Sequence, residues 1–582
     1  MNRLYGVIAM DIVCFAIFIA LALAGRNAEE VNSESGDAGK SGKTTLAAKG
    51  SLKPRTGGRE LWLAVDSEPQ TLDPISITDT ISDGIGGKIF NKLMRLQYDE
   101  HRVLKPVPDL AESVEITNEN RLYTFKLRKG VRFHNGREVK AADFVYSLKR
   151  LMSAMSKRAD LMNPFVKGSK AYCEFKSDDV VHDDSNLGIR AVDDYTLQIE
   201  LDEPFAPFLQ HLCTVSCAVV PREAAENKDV PLSRAPVGTG PFKLAEKDWV
   251  ANQYLRLRRF DGYFAGKPKM EGVRFFIYKD KTLQIKRFMA GQLDACEIPN
   301  GQVKKSTEEA GEENVFTWPS ARTNYIGIGM PNGPFKDKKD LSPFGTNKLL
   351  RQAMNYALDR EYLCKTILEE RGTPAIGVLP PGMPACKESR PGWKKDLVKA
   401  RELMAQAGYP EGKGLAPITM LIRNDVDTKN IGQAMVNDFE KIGIRISLEA
   451  VDWNRFLEMV DKEPVPMFLL GWVADYPDPD NFLYVLFNAK QFNSAGNYMC
   501  YSNPEVDKLT EDARKLTDMS ERAKLYERAE DIILDEAPWI CTYHLISKVL
   551  LRKEVKGIRE NATSLDTGTE YPQVEFMNVE VE

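Results

Sequence analysis

Gly471-Trp472-Val473-Ala474-Asp475-Tyr476-Pro477-Asp478-Pro479-Asp480-Asn481-Phe482 decides how this chain is read. It follows Met467-Phe468-Leu469-Leu470, an apolar run that reads as a buried strand. Pro477 and Pro479 cannot continue a central strand, so the chain must turn there. In α/β proteins, ligands usually sit where such strands end. One carboxylate, Asp475, stands at that point between Trp472 and Tyr476. An aromatic wall beside a fixed anion suits a cationic group, such as the free amino end of a peptide. The plainer reading is a capping Asp with two core aromatics. A third reading has Asp475, Asp478 and Asp480 chelating Ca²⁺. The two prolines restrict that loop, and no later Glu completes a calcium pattern.

The 582 residues are enough for at least two domains. Charged residues make up 28% and hydrophobic ones 43%, the balance of an ordinary globular protein. A net charge of −5 without a long basic run argues against nucleic acid as a partner. The five His are scattered, with no pair at metal-ligand spacing, so neither metal nor cofactor is expected. Eight Cys follow Cys14, and no C-x-x-C occurs. An even number suits disulfides in an oxidising compartment, and buried free thiols are the other reading.

Arg3 precedes an apolar stretch from Ile12 to Ala24, and Ala22-Leu23-Ala24 offers small residues for cleavage. Residues 1–26 therefore read as a signal peptide. Counted back to Leu4, the stretch reaches about twenty residues and also suits a retained membrane anchor. Either way the bulk of the chain is exported. Residues 27–58, rich in Gly, Ser, Lys and Glu, read as a disordered linker.

Further along, Glu60–Val65 is a short apolar strand. Tyr123–Leu127 alternates and turns at Gly130 into Val131-Arg132-Phe133, which reads as a strand pair. Leu197–Leu201 and Tyr254–Arg258 alternate as half-buried antiparallel strands. Helices are predicted after Asp143 as N-cap, around Leu349–Ala357, and from Asp396 to a Gly408 cap. The class is α/β with mixed sheets.

Several segments then fall into a familiar order. They are Glu68–Pro74, Pro108–Ser113, Tyr123–Gly136, Ala141–Arg150, Gly238–Phe242, Gly291–Asp294, Leu350–Arg360 and the Gly471–Phe482 run. Together they resemble family 5 of the extracellular solute-binding proteins, the oligopeptide- and dipeptide-binding proteins of ABC importers. The resemblance implies a type II periplasmic-binding-protein-like two-lobed clamp with an extra domain. Lobe I would comprise 59–95, 219–330 and 548–582, domain II 96–218, and lobe III 331–547. It implies a non-catalytic monomer that captures a peptide ligand outside the membrane and docks on ABC transporter permease subunits. The N-terminal segment would be a membrane tether if it is not cleaved.

In peptide-binding relatives the Asp of Trp-x-x-Asp pairs with the ligand's α-amino group, and Asp475 takes that position. Trp472 and Tyr476 would wall the pocket. Tyr325 matches a segment that can reach ligand, with a packed strand aromatic as its alternative. Some peptide binders carry Arg just before the Gly-Trp; here Leu469 and Leu470 stand there, leaving Arg322 or Arg423 as substitutes. The Gly238–Phe242 loop has no following Lys-Ser/Thr and reads as a tight turn at the interlobe crossover, not a phosphate cradle. Other ligands (nickel chelate, haem, oligosaccharide) and a tethered sensor are the competing readings. An exported hydrolase using carboxylates such as Asp475 and Asp478 lacks any Gly-x-Ser-x-Gly or His-Glu-x-x-His support.

Overall fold

Two long strands, Val315–Ile328 and Trp539–Leu551, form the spine of the molecule. The computed structural model describes residues 60–99, 104–174, 185–338, 341–493, 496–559 and 578–581. The expected signal or anchor and its linker lie outside them. The two long strands run antiparallel at the centre of a 12-stranded mixed sheet. On one side follow Met467–Val473, Ile418–Arg423 and Ile446–Val451; on the other, Ala295–Glu297, Glu60–Val65, Gly272–Ile277, Tyr254–Arg259 and Phe242–Lys243.

The pairing of the spine is interrupted twice, between Pro319 and Thr323 and again between Asn324 and Tyr325. Val315–Pro319 pair with Ile546–Leu550 and Thr323–Gly327 with Trp539–His544, the longer gap lying between Pro319 and Thr323. Proline has no N–H for the ladder, and the break falls next to it. The two halves of the sheet meet at this break. Separate apolar clusters serve them. One gathers Leu61, Leu63, Phe242 and Phe275. Two others flank the opposite half, one around Ile326, Met354 and Phe439, the other around Tyr325, Phe468 and Trp539. A further cluster around Phe125, Phe144 and Phe208 lies under a separate four-stranded antiparallel sheet.

Local chemistry explains the elements and where the sequence reading needs correcting. Asp396 accepts Lys399 N at 2.9 Å, and Gly408 (φ 93°) closes the helix Leu397–Gln406, as its pattern predicts. The helix predicted to start after Asp143 begins instead at Ala141. Asp143 sits inside its first turn and accepts Lys140 N at 2.8 Å, while Arg137 binds both its oxygens. The strand Leu122–Leu127 pairs with Ala111–Thr117 and Thr196–Glu200, not with Val131–Phe133. Past the Gly130 turn (φ 77°) that short stretch folds on itself, Val139 N donating to Val131 O, and buries Val131 and Phe133.

The Gly238–Phe242 turn also lies elsewhere than at the crossover. It presses on the end of the helix Thr80–Ile89, where a Cβ on Gly238 would come within 2.1 Å of Ile89 O. His134 pins it, accepting from Gly238 N through Nδ1 at 3.3 Å and contacting Gly240 O through Nε2 at 3.0 Å. The eight cysteines beyond Cys14 are unbridged and six of them are buried, so free thiols replace the disulfide alternative.

Candidate functional site

The strand Met467–Val473 ends in the two-proline turn, which leads directly into the helix Asp480–Phe487. The turn is held from within. Asp478 N donates to Tyr476 O at 2.8 Å, Asn481 N to Asp478 O at 3.0 Å and Asp480 N to Asp478 Oδ1 at 3.0 Å.

Its three carboxylates have different surroundings. Asp478 is fully buried; Arg522 grips its two oxygens at 2.7 and 2.8 Å, and Gln210 Nε2 donates at 3.3 Å. Asp480, also fully buried, accepts the Tyr476 hydroxyl at 2.8 Å and lies 2.8 Å from Arg514 Nε. Asp475 leaves 51% of its side chain exposed. Among the described residues its one ion-pair neighbour is Arg158, 3.9 Å away. Two carboxylates therefore hold the turn and the third faces open space. Both potential partners of Asp475 in a calcium site are already neutralised by guanidinium groups. No group of three or more His, Cys, Asp or Glu among the described residues could hold a metal ion.

That open space is a cavity of about 500 Å³, lined along with Asp475 by Asp83, Lys92, Arg128 and Arg158. Water reaches Asp475, yet the cavity walls crowd it. Loss of hydration pushes its carboxyl above the usual range, and Arg158 opposes the shift. Asp83, in the helix Thr80–Ile89, is likewise raised, by burial first, with Lys92 and Arg158 pulling it down and Asp475 adding repulsion. Two carboxylates made reluctant to ionise, facing one cavity, form a site that an incoming cation would relieve. The cations on the wall give it a positive side as well.

Of the four residues the sequence singled out, the cavity receives Asp475 alone. Trp472 is half-buried against the lobe core, and its Nε1 donates to Asn481 Oδ1 at 2.8 Å. The same oxygen accepts Asp475 N at 3.1 Å, so Trp472 fixes the backbone that carries the carboxylate. Tyr476 is buried with its ring 4.6 Å from that of His211. Tyr325 is fully buried and stacked at 3.4 Å on Trp539, on the side of its strand that faces the core. Asp83 and Arg158 complete the site without a sequence signal: one lies on a short helix, the other in irregular chain far from the Gly-Trp segment.

Comparison with known proteins agrees with this architecture. Residues 105–494 match the family model described as bacterial extracellular solute-binding proteins, family 5. The dipeptide-binding protein of Escherichia coli K12 is 26% identical over 510 residues, 84% of this chain and 90% of the relative. The glutathione-binding protein GsiB of the same strain is 28% identical over 532 residues, 89% and 94% of the two chains. Among solved structures, Helicobacter pylori DppA in complex with the peptide STSA superposes with a TM-score of 0.70 at 27% identity, covering 90% of this chain and 98% of that one. The unliganded open form of the murein tripeptide-binding protein MppA gives 0.72 at 23% identity, over 90% and 97%, a likeness of fold. The fold is a two-lobed periplasmic-binding-protein clamp with an extra domain.

Proposed function

This chain belongs to family 5 of the bacterial extracellular solute-binding proteins, which are binding proteins and not enzymes, and from that premise we propose that it captures peptides by their free α-amino group beside Asp475. Residues 331–547 form one jaw, and residues 59–95, 219–330 and 548–582 the other, with 96–218 as the added domain. Closure about the spine buries the ligand's backbone polar groups against partners from both sides, which is the condition for burying them at all. The cargo passes to the permease of an ABC importer. The protein works as an extracytoplasmic monomer, exported by its N-terminal segment.

The observation that carries this reading is the isolation of Asp475. In a turn with three carboxylates, it alone lacks a guanidinium within hydrogen-bond reach and faces a cavity sized for a small solute. An ammonium ion replaces lost hydration at such a group. The relatives named for dipeptide and glutathione, and the complex with STSA, point to the same ligand class. The hydrolase reading loses its second carboxylate, because Arg522 engages both Asp478 oxygens.

The test is calorimetry with short peptides bearing free or acetylated amino ends, together with mass spectrometry of whatever small molecules co-purify. Free-amino peptides should bind far more tightly. Equal affinity for the acetylated form would show that the amino end is not read.

A further inference from the structure

The lining of the cavity beside Asp475 carries five cations and four carboxylates. The positive excess grows once a ligand's ammonium is held at Asp475. Two of these cations have no counter-charge within ion-pair distance among the described residues. Lys92 is half-buried, and its Nζ makes neither a hydrogen bond nor an ion pair with any of them. Arg128 donates from Nε to Asp109 O at 2.8 Å, and its Nη groups meet no partner among them.

Asp109 positions both cations without forming an ion pair with either. Its buried carboxylate accepts Asn91 Nδ2 at 3.1 Å on each oxygen and Lys92 N at 3.1 Å. Leu110 N donates to Lys92 O at 3.0 Å. The Lys92 backbone is thus clamped from both sides, while its ammonium is left to the cavity. Arg128 follows directly on the strand Leu122–Leu127, and its own N–H donates to Leu110 O at 2.9 Å. Asp83 does not cancel these charges. It stands outside ion-pair distance of Lys92, and burial holds its carboxyl toward the neutral form. Its carboxyl feels Lys92, Arg158 and Asp475 at once, so the four groups share one neighbourhood.

We infer that Lys92 and Arg128 select ligands whose first residue has an acidic side chain. This rests on the peptide reading at Asp475 and names the substrate class within it. An ammonium and its Cα fill a small part of about 500 Å³. The remaining space adjoins the ligand's first residue and receives its side chain. A carboxylate there takes charge-assisted hydrogen bonds from an ammonium and a guanidinium. An amide of the same shape leaves both cations without a counter-charge in a cavity whose walls concentrate their field. A basic first residue adds to the positive excess and is rejected by repulsion.

The test is calorimetry on wild type, Lys92→Met and Arg128→Gln. The probes are Glu-Ala-Ala, Gln-Ala-Ala, Ala-Glu-Ala and N-acetyl-Glu-Ala-Ala. Wild type should prefer Glu over Gln at the first position by roughly ten- to hundredfold. Each variant should lower that ratio toward one and leave the discrimination against the N-acetyl form in place. Lys92 Nζ holds nothing in the fold, so the Lys92→Met readout stands even if Arg128→Gln does not fold. Three results overturn the selection while the peptide reading stands: a Glu-to-Gln ratio of about one in wild type, a ratio that the variants leave unchanged, or Ala-Glu-Ala binding as tightly as Glu-Ala-Ala. Equal affinity of wild type for the N-acetyl form overturns the reading at Asp475 instead, and no binding of any probe by wild type overturns both.

Discussion

Arg158 Nη2 stands 3.9 Å from Asp475 Oδ2, beside it on the cavity wall. The gap is too long for a hydrogen bond and short enough for attraction. Arg158 is also 3.4 Å from Asp160. It therefore steadies the Asp475 carboxylate without capping it, and that carboxylate can accept a donor from a ligand.

Replacing Asp475 with Asn should weaken binding of free-amino peptides by about 2–5 kcal/mol, the loss seen when one partner of a buried hydrogen-bonded charge pair is removed. Affinity for N-acetylated peptides should barely change. Calorimetry on both ligands checks this, and a uniform loss for both would point to collapse of the turn.

Acid should weaken binding from an unusually high pH. The Asp475 carboxyl is held above its usual range by crowding, and a bound ammonium returns it to the ionised form. Binding therefore releases a proton in the window above the ordinary carboxylate pKa, and affinity falls as pH drops through the raised value. Titrations in two buffers of different ionisation enthalpy measure that proton. Arg158→Ala removes the opposing charge and should move the window upward.

Breaking the pair behind the turn should cost stability. Arg522→Met or Asp478→Asn leaves one buried charge without its counter-charge, a loss of about 3–5 kcal/mol. Changing both together should cost less than the two changes summed. Urea unfolding of the two single variants and the double variant tests this coupling.

Three histidines, His211 and His544 buried and His134 partly so, should make the fold acid-sensitive. Burial lowers His134 and His211 to about 4 and His544 to about 3. Each stays neutral in the fold and takes up a proton once unfolded. Their contribution is complete above about pH 6.5 and is lost as pH falls toward 4. The limiting slope is about 1.4 kcal/mol per pH unit for each histidine. The raised Asp83 acts in the opposite direction, in a window that opens only above 3.8. Unfolding free energies at pH 7.5 and 5.0 measure the effect, and His544→Gln should reduce the slope by one proton.

The Gly471–Phe482 run disclosed Asp475 because its chemistry is local: a buried strand, two prolines and a carboxylate at the break. Tyr325 shows where such reading stops. Its strand carries apolar or aromatic residues on both faces, and pairing opposite Cys541, with Trp539 stacked on its ring, places the tyrosine in the core. Nothing in its own neighbourhood announces that partner. Asp83 and Arg158 reach the cavity only through tertiary packing. The Val131–Phe133 stretch misled because three alternating residues suit a plugged loop as well as a strand. Asp143 sits three residues further into its helix than its N-cap reading placed it, because a carboxylate at the third helical position also caps the helix start, reaching back to the N–H of the N-cap residue, here Lys140.

The break beside Pro319 has a mechanical corollary. A ribbon of two strands flexes readily out of its plane and resists stretching along its length. Motion concentrated there would turn one half of the sheet against the other and spare the geometry inside each. A cross-link spanning the break should therefore trap the molecule in whichever pose it held when the link formed.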